Sequence, residues 1–191
     1  MSKVKKSGSA IFMDCVIVAA IVIVLTTFFM YYSGRNDSKV VLWIGVAAFT
    51  ITYHFEGRLI MGKVTERFPI RYDQWWFEEK SFEKQFYHII RVKKWKGKAL
   101  TYNPELFKFT NYSAEEIANH MAKAETDHWI NELISLSTLL FALIWGELWI
   151  FAITCVLAML FDAQFIAIQR YNRPRMKRLI KKEKERTEKL A

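Results

Sequence analysis

The fold is decided first by residues 10–32, which read AIFMDCVIVAAIVIVLTTFFMYY. A helix needs about 20 predominantly apolar residues to cross the hydrocarbon core of a bilayer, and this run is long enough. It is too long for the apolar region of a cleaved signal peptide, and no small-x-small cleavage pattern follows it. The run therefore predicts an uncleaved first membrane-spanning helix.

Two further apolar stretches predict the remaining spans. The first stretch, Val40–Met61, follows the short polar turn Gly34–Ser38. The second, Leu133–Ile168, is too long for one helix and holds Gly146 and Glu147 near its middle, where a charge inside a bilayer would be costly. A tight turn there is the preferred interpretation, and a re-entrant pair that never reaches the far side is the alternative. The predicted spans are about 10–32, 40–61, 129–145 and 148–169.

The charge distribution indicates which side of the membrane holds the termini. The formal net charge is +9, and residues 170–191 carry ten basic and three acidic side chains, with Lys3, Lys5 and Lys6 at the other end. Positive charge beside apolar spans is typical of the cytoplasmic face. The basic residues at the termini do not form the patterned surface that is typical of a nucleic-acid-binding protein. We expect an all-α integral membrane protein of the cell membrane, a single domain over residues 1–191, with both termini and the segment 63–128 in the cytoplasm.

The segment 63–128 is predicted to be helical in two places. From Gln74, apolar residues recur at helical spacing and gather on one face: Trp75, Phe82, Phe86, Ile89 and Ile90. The pattern favours a helix lying in the membrane interface, and a helix packed on the rest of the segment is the alternative. Ser113 and Glu116 form a capping-box pattern, which predicts a second helix that leads into the third span.

Glu125 and His128 form the first candidate reactive pair. At spacing i, i+3 they project from one helical face. A carboxylate beside an imidazole is the pairing that general-base catalysis on a hydroxyl needs. The pair also lies where the helix enters the membrane. An exposed ion pair at the end of a spanning helix is the alternative.

Further ionisable residues lie within the predicted spans two and four. His54 and Glu56 precede the inner end of span two, where charged groups are costly and usually face the bundle interior. They are candidates for a supporting role, or a buried pair that fixes helix packing. Arg58 is predicted to extend outward to the interface. Asp162 in span four is predicted to be a counter-charge for Arg58 or Arg173 more than a reacting group.

No metal or nucleotide site is predicted. Cys15 and Cys155 both lie in apolar runs, so they form neither a disulfide framework nor a cysteine zinc site. A di-iron centre needs two Glu-x-x-His elements, and the chain has one. There is no glycine-rich phosphate loop.

Three short motifs together resemble one family. They are VKKWK at Val92–Lys96, ETDHW at Glu125–Trp129 and QRYNRPR at Gln169–Arg175. Their order and spacing over about residues 70–176 are similar to those of glycosyl-4,4'-diaponeurosporenoate acyltransferases, small membrane proteins of staphyloxanthin-type carotenoid synthesis. The sequence Gly97–Thr101 departs from the family, which usually continues with an acidic residue, Leu and Pro.

The resemblance implies transfer of a fatty acyl group to a sugar hydroxyl of a glycosylated C30 carotenoid, with no bound cofactor. The donor would be an acyl-CoA or acyl-carrier-protein thioester from the cytosol, and a membrane glycolipid would be the acceptor. His128, oriented by Glu125, would remove the hydroxyl proton. No Ser or Cys is placed for a covalent intermediate, so direct transfer is favoured. The residues expected to bind substrate are Lys93, Trp95, Lys96, Asn172, Arg173 and Arg175.

A non-catalytic membrane scaffold or lipid-handling protein of a glycolipid pathway is the alternative function. Under the enzyme hypothesis, His54, Glu56, Glu125 and His128 should converge on one cavity. Under the scaffold hypothesis they should point apart.

Overall fold

A computed structural model describes residues 8–99 and 104–189. Helix makes up 82% of it and the described residues contain no strand, which confirms the all-α prediction. The basic residues Lys3, Lys5 and Lys6 lie outside the described residues. So do Leu100 and Thr101 of the stretch that departs from the family pattern.

Four helical stretches are long and apolar enough to span a membrane, as predicted. Each contains a full bilayer's length of apolar sequence. The helices are α1 Gly8–Tyr32, α2 Lys39–Thr65, α3 Glu83–Ile89, α4 Val92–Trp95, α5 Ala114–Ser137, α6 Ala142–Trp145 and α7 Leu148–Glu188. Short 3-10 turns lie at Trp75–Phe77, Lys96–Lys98, Pro104–Phe107 and Thr138–Phe141.

The turn between α6 and α7 is made by a glycine in the left-handed region. Gly146 has φ of +72°, and its N–H donates to the Ala142 carbonyl at 2.7 Å. Only glycine adopts this conformation without a steric cost. The new helix begins at Leu148, the residue at which the sequence predicts the fourth span to begin.

The N-terminus of α5 carries the predicted capping box. The Glu116 carboxylate accepts from the Ser113 N–H at 2.8 Å, and the Ser113 hydroxyl accepts from the Glu116 N–H at 3.3 Å. These two bonds satisfy N–H groups that the first turn of a helix leaves without partners.

The prediction of one amphipathic helix from Gln74 is wrong. A 3-10 turn at Trp75–Phe77 is followed by extended backbone at Glu78, and Arg91 in the left-handed region (φ 54°) separates α3 from α4. The breaks bury side chains outside the predicted apolar face, namely Phe77, Glu83, Tyr87 and Val92. The predicted face itself stays exposed, with Trp75, Phe82 and Ile89 each more than half accessible. Its placement in the membrane interface stays a prediction.

The chain forms two compact units. The span unit comprises Met1–Val64 and Ile130–Asp162, and the loop unit comprises Thr65–Trp129 and Ala163–Ala191. The prediction of a single domain stays a prediction.

Each unit has its own apolar core. In the span unit Leu42, Val46, Ile150 and Phe151 are buried among aromatic side chains that include Trp145. In the loop unit one face of α5 packs on α7, and α3 and α4 pack on an earlier turn of α7. The loop-unit core residues are Ala114, Ile117, Ala118, Met121, Met176 and Ile180, with Tyr87, Val92 and Ala167 in the second cluster.

Candidate functional site

A network of four charged side chains, three buried and one partly buried, lies in the loop unit. Glu125 is fully buried, and its carboxylate accepts from Arg170 Nε at 2.8 Å and pairs with Arg173. Arg170 also pairs with the buried Glu83 and donates to the Trp76 carbonyl at 3.0 Å. Two carboxylates are thus matched by two guanidinium groups, and the attraction between them offsets the desolvation penalty of burying charge. We call these four residues the loop-unit charge network.

Arg173 differs in surroundings from what the sequence suggests. It is expected to meet the phosphates of a donor, yet it is buried, with its guanidinium 5.2 Å from the centre of the Phe77 ring. Its charge is neutralised by Glu125. Its role in substrate binding stays a prediction.

His128 lies on α5, one turn after Glu125, and its ring stacks on Phe165 with the centroids 4.7 Å apart. The ring is half-buried. Arg170 and Arg173 both bind the Glu125 carboxylate, so this carboxylate does not interact with the His128 imidazole alone. The roles of His128 as base and of Glu125 as its orienting group stay predictions.

The substrate-binding candidates from two distant motifs come together around Lys96. Its Nζ donates to Asn172 Oδ1 at 2.6 Å and lies 4.7 Å from the centre of the Tyr171 ring. Burial lowers the pKa of Lys96, and the positive charges of Arg175 and Lys93 lower it further. These charges are therefore close enough to repel one another. Lys93, Lys96 and Arg175 are called the basic patch below.

Trp95, the remaining candidate of that motif, has a structural contact. Its indole N–H donates to the Ile90 carbonyl at 2.9 Å. This bond ties α4 to the end of α3. Its contact with substrate stays a prediction.

A polar cluster lies among the helices of the span unit. Arg58 pairs with Asp162, which also accepts from Asn131 Nδ2 at 3.2 Å. The prediction that Arg58 extends outward is therefore wrong, because the buried Asp162 carboxylate supplies a counter-charge inside the unit. His54 is 5% exposed, and its Nδ1 lies 3.4 Å from Ser135 Oγ.

Glu56 is half-buried on α2. Two residues along a helix correspond to a rotation of about 200°, so Glu56 and His54 point to different sides of α2. His54 and Glu56 belong to the span unit, while Glu125 and His128 belong to the loop unit. Convergence of the four on one cavity stays a prediction.

A family model for glycosyl-4,4'-diaponeurosporenoate acyltransferase matches residues 73–182, more than half of the chain. The chain belongs to this family. The match includes all three motifs on which the resemblance rests, and it confirms that resemblance. No curated protein and no solved structure matches the chain. The name of the family implies acyltransferase activity in carotenoid biosynthesis.

Several polar residues of this family member could not be identified from the sequence. In the span unit they are Asn131, Glu132 and Ser135 on α5, and in the loop unit Glu83, Tyr87 and Arg170. The spacing of Asn131 and Ser135 at i, i+4 inside an apolar span was the available signal. Nothing local marks Glu83, because its partner Arg170 lies 87 residues further along.

Tyr87 lies beside the loop-unit charge network, close to Glu83 and Arg170. Burial raises the pKa of its phenol to about 12, and the negative charge of Glu83 adds to the effect. Tyr87 therefore keeps its proton at cellular pH, and its phenol oxygen accepts a hydrogen bond from Arg170. Among residues 8–99 and 104–189, no three His, Cys, Asp or Glu side chains come together as metal ligands.

Proposed function

We propose that this protein transfers a fatty acyl group from a cytosolic thioester to a sugar hydroxyl of a glycosylated C30 carotenoid in the cell membrane. The hydroxyl oxygen attacks the thioester carbonyl, a C–O bond forms and the C–S bond breaks. The proton of the hydroxyl passes to a base and then to the departing thiolate. The products are an acylated sugar and a free thiol, with no net oxidation or reduction.

The family match carries this proposal. Four apolar helices suit an enzyme whose acceptor stays in the bilayer. Under the proposal the loop unit faces the cytosol, where thioester donors are found, and the termini lie on the same side.

The basic patch supports a donor that carries phosphate. Lys93 and Arg175 are exposed, and both raise the cost of the positive charge on Lys96. A phosphate placed among these cations would relieve their repulsion and accept charge-assisted hydrogen bonds. Coenzyme A and the phosphopantetheine arm of a carrier protein both carry phosphate, so the patch fits either donor.

His128 is the proposed base. It belongs to the matched region and to the unit that carries the basic patch. A ring nitrogen of histidine can take a proton from a hydroxyl and return it to a thiolate.

The experiment is acyl transfer by His128→Ala in membranes that contain a glycosylated carotenoid and acyl-CoA or acyl-carrier protein. General-base catalysis contributes about 10²- to 10⁴-fold, so we expect the initial rate to fall by about that factor. His88→Ala is the matched control, because His88 is exposed on α3 of the same unit. Its rate should stay near that of the unchanged protein.

The same variants in cells separate enzyme from scaffold. Lipid extracts should lose the acylated glycolipid with His128→Ala and keep it with His88→Ala. Full product with normally expressed His128→Ala would remove the base assignment. Unchanged lipids in cells without the gene would favour the scaffold.

A further inference from the structure

The polar cluster of the span unit contains three buried side-chain atoms that have no hydrogen-bond partner within the described residues. They are His54 Nε2, Glu132 Oε2 and Arg58 Nε. His54 and Glu132 are only 5% and 7% exposed. Buried polar atoms are nearly always hydrogen-bonded, because an unmade bond costs the full desolvation of the group. Three such atoms in one cluster therefore offer hydrogen-bonding positions to a bound molecule.

The hydrogen bonds of Ser135 fix what His54 can offer. The Ser135 hydroxyl donates its single proton to the Asn131 carbonyl at 2.9 Å. Toward His54 Nδ1, 3.4 Å away, it can then only accept. A neutral His54 ring assigned from this network carries its proton on Nδ1. Its Nε2 atom is left with a lone pair that accepts a hydrogen bond.

Arg58 and Asp162 connect the two acceptor groups. Both interact electrostatically with His54 and with Glu132, so the four side chains form one cluster. His54 lies 15 residues after the start of α2 and Asp162 lies 14 residues after the start of α7. At a rise of 1.5 Å per residue, each is about 20 Å along its helix, within the length that crosses a bilayer.

The charges in the cluster select the kind of ligand. The Arg58 cation is balanced by Asp162, and the acidic Glu132 lies close enough to interact with both. An anionic phosphate headgroup is therefore disfavoured. The atoms without partners are one donor, Arg58 Nε–H, and two acceptors, His54 Nε2 and Glu132 Oε2. Hydroxyl groups, which donate and accept, complement this set.

We propose that this cluster binds the uncharged, hydroxyl-rich headgroup of a membrane lipid, which is the chemistry of a sugar. Hydroxyls of the headgroup donate to His54 Nε2 and Glu132 Oε2, and one accepts from Arg58 Nε–H. The apolar tails remain against the exposed apolar surfaces of the spanning helices. The inference deepens the proposed function, on which it rests for the class of lipid.

The test measures binding without any thioester. The protein is placed in phosphatidylglycerol nanodiscs with monoglucosyl diacylglycerol or with diacylglycerol of the same chains, and bound lipid is measured by native mass spectrometry. We expect at least tenfold tighter retention of the glucosyl lipid. His54→Asn keeps an N–H for Ser135 and removes the atom at Nε2, and Glu132→Gln replaces a carboxylate oxygen by an amide. Each should lose most of that preference.

Asp37→Asn is the matched control, because it removes an exposed carboxylate from the same unit. It should bind as the unchanged protein does. Thermal unfolding identifies any variant that fails to fold, and the comparison of the two lipids in the unchanged protein needs no variant.

Equal retention of the glucosyl lipid and the diacylglycerol overturns the inference. Normal binding by folded His54→Asn and Glu132→Gln overturns it too. Binding without acyl transfer would instead count against the proposed function alone. Acyl transfer without sugar-dependent binding would count against this inference alone.

Discussion

At the scale of single residues, the loop-unit charge network links segments that are far apart in sequence. Glu83, Glu125 and Arg173 are buried beside the partly buried Arg170, and each carboxylate contacts at least one guanidinium group. Such pairs add little net stability, but removing one member leaves an uncompensated buried charge. Glu125 is therefore a structural residue whatever its part in catalysis.

We predict that Glu125→Gln destabilises the protein by about 3–5 kcal/mol, because Arg170 and Arg173 lose the carboxylate between them. Thermal unfolding in detergent should show a clearly lower midpoint. Glu185→Gln is the control, since Glu185 is exposed and 3.8 Å from Lys181, and its midpoint should hardly move. An unchanged midpoint for Glu125→Gln would show that the network does not stabilise the fold.

Residue-level prediction worked where the signal was local and failed where it was not. The hydrogen bond between Ser113 and Glu116 could be predicted from their spacing alone. Asp162 could be named as a counter-charge, since a carboxylate in a span needs one. The partners of Glu125 could not be chosen from spacing, because Arg170 lies 45 residues away and His128 only three. Local sequence suggested His128 as the partner of Glu125, whereas the tertiary structure brings Arg170 to it.

At the scale of elements, α1 and α2 pack closely at a glycine. A Cβ atom at Gly45 would lie 2.5 Å from Phe28 Cε1 and 2.7 Å from Thr27 Oγ1. The same helix α2 contains Gly62, where an added Cβ would meet nothing within 4 Å. Alanine substitution at the two positions therefore distinguishes the effect of packing on stability from that of helix propensity within one helix.

We predict opposite effects of alanine at these two positions. Gly45→Ala should destabilise the protein by about 1–3 kcal/mol through overpacking. Gly62→Ala should be neutral or stabilising by up to about 1 kcal/mol, because alanine favours helix. Chemical unfolding in detergent micelles measures both. Equal effects of the two changes would mean that α1 does not pack on Gly45 in solution.

The spanning helices were predictable because a bilayer requires long apolar runs, which composition shows directly. The short helices of the loop unit were not. Their apolar spacing suggested one continuous helix, yet Phe77, Glu83 and Tyr87 are buried and contact α7 of the same unit. Periodicity does not reveal such tertiary contacts.

At the scale of the whole molecule, the proposed reaction requires a cytosolic loop unit. We predict that the loop unit lies in the cytosol. Single cysteines test this prediction in a protein whose Cys15 and Cys155 are replaced by alanine. Asp37 and Lys108 are both exposed, the first in the turn after α1 and the second in the loop unit. A membrane-impermeant maleimide should label Asp37→Cys in intact cells and Lys108→Cys only after permeabilisation. Labelling of Lys108→Cys from outside would separate the loop unit from its thioester donor.

The long separation within the charge network also bears on how the chain is made. A ribosome completes Glu83 and Glu125 well before Arg170, which lies 87 and 45 residues further on. A nascent chain that ends before α7 carries both acids without their bases. The loop unit can therefore complete its interior only when the last helix has been synthesised, so its folding is a late event of translation.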